Sequence, residues 1–332
     1  MPYSWYVESE VLARERERLF AHAWQYAGHS GQLAEPGSYF TLRVADVPLV
    51  VVRDREGVLS AFVNVCRHRG AEVVSGAGPC TTLQCHYHAW TYGLDGALRA
   101  APRADDGFDR SGLGLRRAQV DTWGPFIFVN ADADAPPLAD TLGALPELVR
   151  DGGIDVDSLG FHSRAPYSLE ANWKVAVENF LECYHCAVAH PGFSEVVDVS
   201  PDSYRLEPHA TFASHHVRLR EGGGSGGQFH LIWPNIKVNV MPGAPNLSIG
   251  PLMPVDPGRT DGFLDYFFPP DADPSWIAEY LELDDQVGAE DRELVESVQR
   301  GIRSGAFERG RLMLPSEELI AEFQRWVTAG LA

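Results

Sequence analysis

The sequence predicts an α+β protein with two domains: an N-terminal all-β domain and a C-terminal domain in which helices cover an antiparallel sheet. Short segments of alternating apolar and polar residues, separated by turn signals, follow one another from residue 37 to residue 132. Strand segments between residues 229 and 270 then precede helical periodicity over residues 275–330, an order typical of α+β domains. A chain of 332 residues is long enough for two hydrophobic cores.

Three segments are expected in chain order. Residues 1–35 should form an N-terminal helical segment packed on the C-terminal domain, because their apolar residues have the spacing of a short amphipathic helix. Residues 36–135 should form the all-β domain, with a hairpin around Asp95 and Gly96. A linker rich in Pro and Ala then leads into the C-terminal domain, residues 136–332.

The charge balance excludes some classes of partner. The formal net charge is −19, whereas binding to a phosphate backbone requires clustered positive charge, so no nucleic-acid partner is expected. The longest apolar runs are far shorter than a membrane span, and residues 1–11 lack the pattern of a secretory signal. We therefore expect a cytoplasmic protein without a membrane partner.

Two motifs in the first domain each combine cysteine with histidine, at Cys66–His68 and at Cys85–His88. Two thiolates and two imidazoles are the ligand set of a Rieske [2Fe–2S] centre, in which two His replace two Cys on one iron. Zinc is the alternative, because a Cys₂His₂ set also suits a tetrahedral site. Zinc motifs usually pair like ligands, so the mixed order favours a cluster. Its ligands would be Cys66, His68, Cys85 and His88.

A second candidate metal site lies in residues 172–187, which are predicted to form one helix. Glu182 and His185 fall on one face of that helix, and His190 follows before Pro191, where a turn can fold it back. Two His and a carboxylate are typical of a non-haem Fe(II) site with open positions for O₂. The alternative is a surface helix whose histidines only form hydrogen bonds. A one-electron carrier in the same chain favours iron, since O₂ activation consumes single electrons.

The third ligand is expected to come from the C-terminal helical region. Asp291 lies within an apolar helical stripe, and a buried carboxylate is costly unless it is paired or binds a metal. We therefore choose Asp291 over Glu290 and Asp284, and we expect Glu290 to be solvated. A metal-bound His normally donates its other ring N–H to a carboxylate, a role that suits Glu182 best and Glu178 less well.

Taken together, these motifs resemble the large α subunit of Rieske non-haem iron oxygenases, the ring-hydroxylating oxygenase family. The similar segments are LFAHAWQYAGH, NVCRHRGAE, CHYHAWTYGLDG, NWKVAVENFLECYHCAVAHP and EDRELVESVQRGI. The resemblance implies a Rieske β-domain, a helix-grip catalytic domain, and mononuclear iron bound by His185, His190 and Asp291. It also implies a homotrimer in which His88 lies near the iron of the neighbouring subunit, with Glu182 as the inter-subunit electron-transfer bridge.

The segment ENFLECYHC is most similar to the sequences of the subgroup acting on choline, glycine betaine, carnitine or stachydrine. This similarity implies monooxygenation or oxidative N-demethylation of a small substrate. Aromatic side chains available for a cage around a quaternary ammonium are Phe229, Trp233, Tyr266, Phe267 and Phe268. Three alternatives stay open. In the first, these aromatic residues belong to the core, and in the second, the same metal sites catalyse ring cis-dihydroxylation. In the third, the chain is not an oxygenase but an electron carrier or a small-ligand-binding protein.

The electrons are expected to come from other proteins. The chain has no G-x-G-x-x-G motif after a strand, so NAD(P)H should act through a separate flavin reductase, a ferredoxin, or both. Relative to respiratory Rieske proteins, we expect neither a disulfide nor hydroxyl donors beside the cluster. The remaining cysteines, Cys80, Cys183 and Cys186, are expected to be reduced thiols. The glycine-rich run Glu221–Gly227 is either a mobile loop or an engineered replacement for a longer one.

Overall fold

The computed structural model describes residues 1–220 and 226–332 and divides them into two compact units. Residues 20–138 form the first unit, and residues 1–19 with 139–332 form the second. Most of the glycine-rich run, residues 221–225, lies outside the described residues. The two predictions made for it, a mobile loop and an engineered replacement, therefore also fall outside the described part of the chain. Within the described ranges, no helix combines the length and the apolar character needed to cross a membrane.

The first unit is all-β, as predicted. A seven-stranded antiparallel sheet has the order β1-β10-β9-β4-β3-β2-β5, and a three-stranded sheet has the order β6-β7-β8. In chain order the strands are β1 (Gln25–His29), β2 (Ser38–Val44), β3 (Val47–Arg53), β4 (Leu59–Val63), β5 (Ala77–Pro79), β6 (Leu83–Gln84), β7 (Thr91–Tyr92), β8 (Leu98–Ala100), β9 (Arg117–Trp123) and β10 (Phe126–Asn130). The buried side chains Val50, Val52 and Phe62 belong to the same hydrophobic core as Cys66 and Cys85. The core therefore holds both cysteines in place.

Because of strand β1, the β unit begins earlier in the chain than the predicted domain boundary at residue 35. This strand pairs with β10, so the chain from residue 20 onward belongs to the β unit. All five residues of β1 are buried, which removes the alternation by which a strand is recognised. The helix expected at the N-terminus is α1 (Ser9–Arg18), and it is part of the second unit. Its buried Glu15 accepts hydrogen bonds from Lys174 Nζ (2.6 Å) and Trp173 Nε1 (2.8 Å).

The second unit contains a seven-stranded antiparallel sheet of order β11-β19-β18-β17-β16-β14-β13 and a two-stranded sheet, β12-β15. Its strands are β11 (Gly160–Leu169), β12 (Val197–Asp198), β13 (Arg205–Pro208), β14 (Phe212–His216), β15 (Arg218–Leu219), β16 (Gln228–Ile232), β17 (Ile236–Val240), β18 (Leu247–Asp256) and β19 (Arg259–Phe268). Its further helices are α2 (Leu138–Leu142), α3 (Leu145–Asp151), α4 (Trp173–Phe180), α5 (Cys186–Ala189), α6 (Pro191–Val196), α7 (Pro274–Arg303) and α8 (Glu318–Leu331). The α+β prediction is confirmed.

The single helix predicted over residues 172–187 is wrong. Helix α4 begins after its N-cap Asn172, whose side chain accepts a hydrogen bond from the N–H of Lys174, and it ends at Phe180. Residues 181–185 are a turn segment before the short helix α5. Glu182 accepts hydrogen bonds from the backbone N–H groups of Tyr184 and His185, which provides those N–H groups with a partner outside a helix.

Candidate metal centres

The two cysteine motifs form loops of the same backbone geometry. Each Cys is followed by a three-residue turn that ends in a hydrogen bond to its carbonyl: Gly70 N–H donates to Cys66 O and Ala89 N–H donates to Cys85 O, both at 3.0 Å. Gly70 and Ala89 both have a positive φ, +76° and +56°, which closes each turn in the left-handed region. Two equivalent loops thus present one Cys and one His each.

The side chains of these loops separate by burial. Cys66 and Cys85 are buried, whereas His68 and His88 are exposed, with their ring centroids 4.7 Å apart. The indole of Trp90 stacks on His68 at 5.0 Å and fixes the orientation of that ring. Two inner sulfurs and two outer nitrogens suit a cluster whose Cys-bound iron is buried and whose His-bound iron lies near solvent.

Tyr92 places a hydroxyl group beside the cluster motifs, where the sequence predicted no hydroxyl donor. Its oxygen accepts a hydrogen bond from the N–H of Arg67 (3.0 Å) and lies 3.3 Å from Cys66 Sγ, so its proton is directed to the sulfur. Burial raises the pKa of Tyr92 well above its usual range, so the hydroxyl keeps its proton. The available signal was the residue type, since a buried Tyr normally requires a partner for its hydroxyl.

Three side chains converge in the second unit: His185 at the end of the turn segment, His190 between α5 and α6, and Asp291 on α7. His185 Nε2 lies 3.1 Å from His190 Nε2 and 3.5 Å from Asp291 Oδ1, and His190 Nε2 lies 3.0 Å from Asp291 Oδ1. Two ligand atoms at about 2.1 Å from one ion and at right angles are about 3 Å apart, so this spacing fits a single metal ion. These three residues, called the triad below, are the ones selected from the sequence.

Each triad histidine is held by a carboxylate behind it. His185 Nδ1 donates to Glu182, and His190 Nδ1 donates to Glu290 Oε2 at 2.7 Å. Because these carboxylates bind Nδ1, the Nε2 atom of each ring is the one that points to the centre of the triad, where a metal would bind. The expectation that Glu290 is solvated is wrong, because His190 lies against α7 beside it. Gln286 further fixes Glu290 by donating to its other oxygen at 2.9 Å.

The other carboxylates weighed in the sequence analysis have other partners. Glu178 accepts hydrogen bonds from Tyr6 (2.6 Å) and Gln324 (2.9 Å) instead of supporting a histidine. Asp284 accepts a hydrogen bond from Tyr266 (2.5 Å). Burial raises the pKa of both carboxyls, and these hydrogen bonds partly oppose the increase.

The charges of the triad are strongly coupled. Burial lowers the pKa of His185, but its hydrogen bonds to Asp291 and Glu182 outweigh burial and raise the pKa to about 9. Burial raises the pKa of Asp291, yet the hydrogen bonds from both histidines bring it well below its usual range. Asn179 Nδ2 also donates to Asp291 Oδ1 (3.1 Å). The site therefore offers an ionised carboxylate between two basic imidazoles.

The cysteines beside His185 form a disulfide, Cys183–Cys186. The expectation of reduced thiols is wrong for this pair, because the turn segment brings their Cα atoms to 4.9 Å, within the range of a disulfide. Cys80 is a free thiol, as expected. Both paired cysteines are buried.

A cavity of about 140 Å³ opens on the triad, and a second cavity of about 270 Å³ adjoins it. The two cavities share Asn179, Phe180, Lys237, Leu264, Asp284, Gly288 and Asp291. Of the aromatic residues considered for a cage, Phe229 lines the first cavity and Tyr266 the second. Trp233 instead packs against Phe323 and Trp326. Phe267 and Phe268 are buried outside both cavity linings.

Comparison with known families and proteins agrees with this architecture. The family described as "Rieske [2Fe-2S] domain" matches residues 23–121, and "Ring hydroxylating alpha subunit (catalytic domain)" matches residues 156–226 and 216–332. The carnitine monooxygenase oxygenase subunit of Acinetobacter baumannii is 34% identical over 98% of this chain and 93% of its own length. The chloroplastic choline monooxygenase of Amaranthus tricolor is 32% identical over 98% of this chain and 76% of its own length.

Solved structures show the same fold. The crystal structure of the quaternary ammonium Rieske monooxygenase CntA in complex with L-carnitine has a TM-score of 0.89 and 33% identity, covering all of this chain and 95% of that chain. Naphthalene 1,2-dioxygenase from Rhodococcus sp. bound to indole has a TM-score of 0.82 over all of this chain and 94% of that chain. At 20% identity, this second likeness concerns the fold alone.

Proposed function

The chain belongs to the family of Rieske non-haem iron oxygenases, and we propose from this membership that it monooxygenates a small quaternary ammonium compound, including by oxidative N-demethylation. The observation that carries the proposal is similarity to carnitine and choline monooxygenases over 98% of the chain. In such a reaction, one atom of O₂ enters the substrate and the other leaves as water, with two electrons and two protons supplied from outside.

We assign the cofactors of this family to specific side chains. Cys66, His68, Cys85 and His88 would hold the [2Fe–2S] cluster, because buried sulfurs and exposed imidazoles match its two irons. The triad of His185, His190 and Asp291 would hold mononuclear Fe(II), since its ligand atoms already have the spacing that one ion needs. When bound, the ferrous ion supplies open positions at which O₂ reacts beside the substrate.

Other residues of the chain orient the side chains of the triad and line the substrate cavity. Glu182 and Glu290 fix the tautomers of the two histidines, and Asn179 restrains Asp291. Phe193 and Phe229 line the cavity and present apolar and π surface on which a quaternary ammonium group can bind. The same wall excludes water from the place where the substrate lies.

For assembly, we propose a homotrimer in which His88 of one subunit faces Glu182 of the next. Support comes from exposure: His88 lies at the surface, and Tyr184 and Val188, beside His185, are 62% and 89% exposed. Exposed apolar side chains next to a site are typical of a surface that a partner covers. Inter-subunit electron transfer is attributed to the related CntA. Glu182, bonded to His185, would then be the electron-transfer bridge.

We further propose that a flavin reductase, alone or with a ferredoxin, supplies electrons from NAD(P)H in the cytoplasm. The proposed function is tested with purified holoenzyme, such a reductase and ¹⁸O₂, using carnitine, choline, glycine betaine and naphthalene as substrates. Because an aldehyde exchanges its oxygen with water, any aldehyde is reduced with borohydride at once, and we expect mass spectrometry to find no more than one labelled oxygen in each product of a quaternary ammonium compound. A labelled cis-diol of naphthalene, with no product from the amines, would contradict the proposal.

A matched pair of variants tests the assignment of the iron site. Asp291→Ala should abolish turnover and mononuclear iron while the visible spectrum of the cluster stays unchanged. Asp284→Asn should retain that iron, because Asp284 is bonded to Tyr266 and lies outside the triad. Full iron content in Asp291→Ala would show that another residue is the third ligand.

A further inference from the structure

The chain contains two lysines, Lys174 and Lys237, and their environments differ. Lys174 is buried in an ion pair with Glu15 at 2.6 Å. Lys237 lies on β17 and lines both cavities, with its Nζ atom 5.1 Å from the ring centre of Tyr167 and 5.7 Å from that of Phe180. Among the described residues, its ammonium group has no ion pair and no hydrogen bond. A cation therefore faces the cavities without a counter-ion in contact.

Asp284 does not neutralise this lysine by contact. Its carboxylate accepts the hydrogen bond of Tyr266 at 2.5 Å, and no ion pair within 4 Å joins it to Lys237 in the described part of the chain. Its burial raises its pKa, which the hydrogen bond and the charge of Lys237 only partly oppose. The Lys237 ammonium thus retains its capacity to bind an anion.

Other polar atoms on the same wall also lack partners. Lys237 and Asn239 lie two residues apart on β17, so they share one face of the sheet, and Asn239 pairs through Phe229 with His215. Both side chains are buried, and neither His215 Nε2 nor Asn239 Oδ1 has a hydrogen-bond partner among the described residues. Of the two, only the imidazole nitrogen can donate to a carboxylate, whereas the amide oxygen accepts and would be satisfied by water or a hydroxyl group. Buried polar atoms without partners are rare in native proteins unless a ligand or water satisfies them.

We infer that Lys237 binds a carboxylate of the substrate, so that the substrate is a trimethylammonium carboxylate, a betaine, and not a trimethylammonium alcohol. This inference rests on the proposed function. The triad and its supports contribute the three carboxylates of Glu182, Glu290 and Asp291, which would exceed the charge of a bound Fe(II) by one and so attract the ammonium end of such a zwitterion. The cation of Lys237 repels that end and attracts the other. The negative charge at the triad and the positive charge of Lys237 therefore orient the substrate with its methyl groups toward the triad.

Lys237 also provides a means of discrimination. A betaine gives the ammonium group a counter-ion inside the cavity, whereas a neutral analogue of the same size displaces water from it and leaves it unpaired. Removing water from a lysine ammonium group without giving it another partner costs free energy. The preference should therefore depend on the charge at residue 237 more than on the shape of the cavity.

The test compares γ-butyrobetaine with its primary amide, which has nearly the same size but no carboxylate. Binding of both compounds to anaerobic holoenzyme is measured by calorimetry, so the readout does not require turnover. We expect the wild type to prefer the carboxylate by roughly 30-fold or more, as for a buried charge pair. Lys237→Met should reduce the ratio to about threefold or less, and Lys237→Arg should keep most of it.

Arg259→Met is the matched control, because Arg259 is a cation on the same sheet that pairs with Asp261 outside both cavities. It should leave the ratio unchanged. An equal loss of both ligands in Lys237→Met, or an unchanged ratio, would overturn the inference. If Lys237→Met lacks the cluster spectrum and is misfolded, the wild-type ratio and Lys237→Arg decide, and a wild type without preference also overturns it. Product formation, measured in parallel with ¹⁸O₂, separates failure of this inference from failure of the proposed function.

Discussion

His190 Nδ1 donates a hydrogen bond of 2.7 Å to Glu290 Oε2, although the two residues are 100 positions apart in the chain. The contact joins the junction between α5 and α6 to α7, and it fixes the second histidine of the triad from the side opposite its Nε2 atom. Glu182 does the same for His185 from three positions away. One support is thus local in sequence and the other is tertiary.

Removing the tertiary support should weaken metal binding. Glu290→Ala leaves His190 free to rotate and to change tautomer, and loss of such a carboxylate typically costs about 10–100-fold in metal affinity. We expect this loss in anaerobic Fe(II) titrations, with the cluster spectrum unchanged. Glu293→Ala, at an exposed position on the same helix, is the control. Equal iron affinity in both variants would show that Glu290 has no role.

Glu182→Gln should separate metal binding from electron transfer. The amide oxygen can still accept the hydrogen bond of His185, so both metal sites should remain filled, but the charge of the proposed bridge is lost. We expect steady-state turnover to fall at least about 100-fold, as when a transition-state interaction of roughly 3 kcal/mol is removed. Iron and sulfide content is measured on the same sample. Turnover at the wild-type rate would rule out the bridging role.

Iron binding should depend on pH in one direction. The pKa of His185 is raised to about 9 in the metal-free protein and that of His190 is also raised, whereas that of Asp291 is lowered. Below about pH 9, Fe(II) must therefore displace a proton from His185, and one from His190 wherever that ring is also charged, so affinity rises with pH by at least roughly tenfold per unit. Asp291 adds no such dependence, since it is already ionised near neutral pH. Calorimetry in buffers of different ionisation enthalpy counts the released protons, and a pH-independent affinity would contradict this coupling.

Tyr92→Phe should lower the reduction potential of the cluster. The hydroxyl lies 3.3 Å from Cys66 Sγ and stabilises the more negative, reduced state. A hydrogen bond worth about 0.5–1.5 kcal/mol corresponds to roughly 20–60 mV for one electron. Redox titration followed by visible spectroscopy or EPR measures the change. Tyr87→Phe, whose ring is exposed beside His88, is the control, and an equal potential in both variants would refute the role of Tyr92.

Local spacing was sufficient to select the candidate ligands. Cys66, His68, Cys85 and His88 lie within two short loops, so their pattern is visible in the chain itself. His185 and His190 are five positions apart, and Asp291 stood out because a carboxylate in an apolar stripe needs a partner. The α+β class likewise followed from period-two strands and a helical C-terminal region.

The tertiary structure decided what depends on distant contacts. Strand β1 is buried on both faces and carries no alternation, and the helix predicted over residues 172–187 ends at Phe180. Glu290 supports His190, Tyr92 reaches Cys66 Sγ, and Lys237 faces the cavities from β17. Each of these arrangements depends on residues brought together by sheet register or helix packing, and periodicity within one segment contains no information about them.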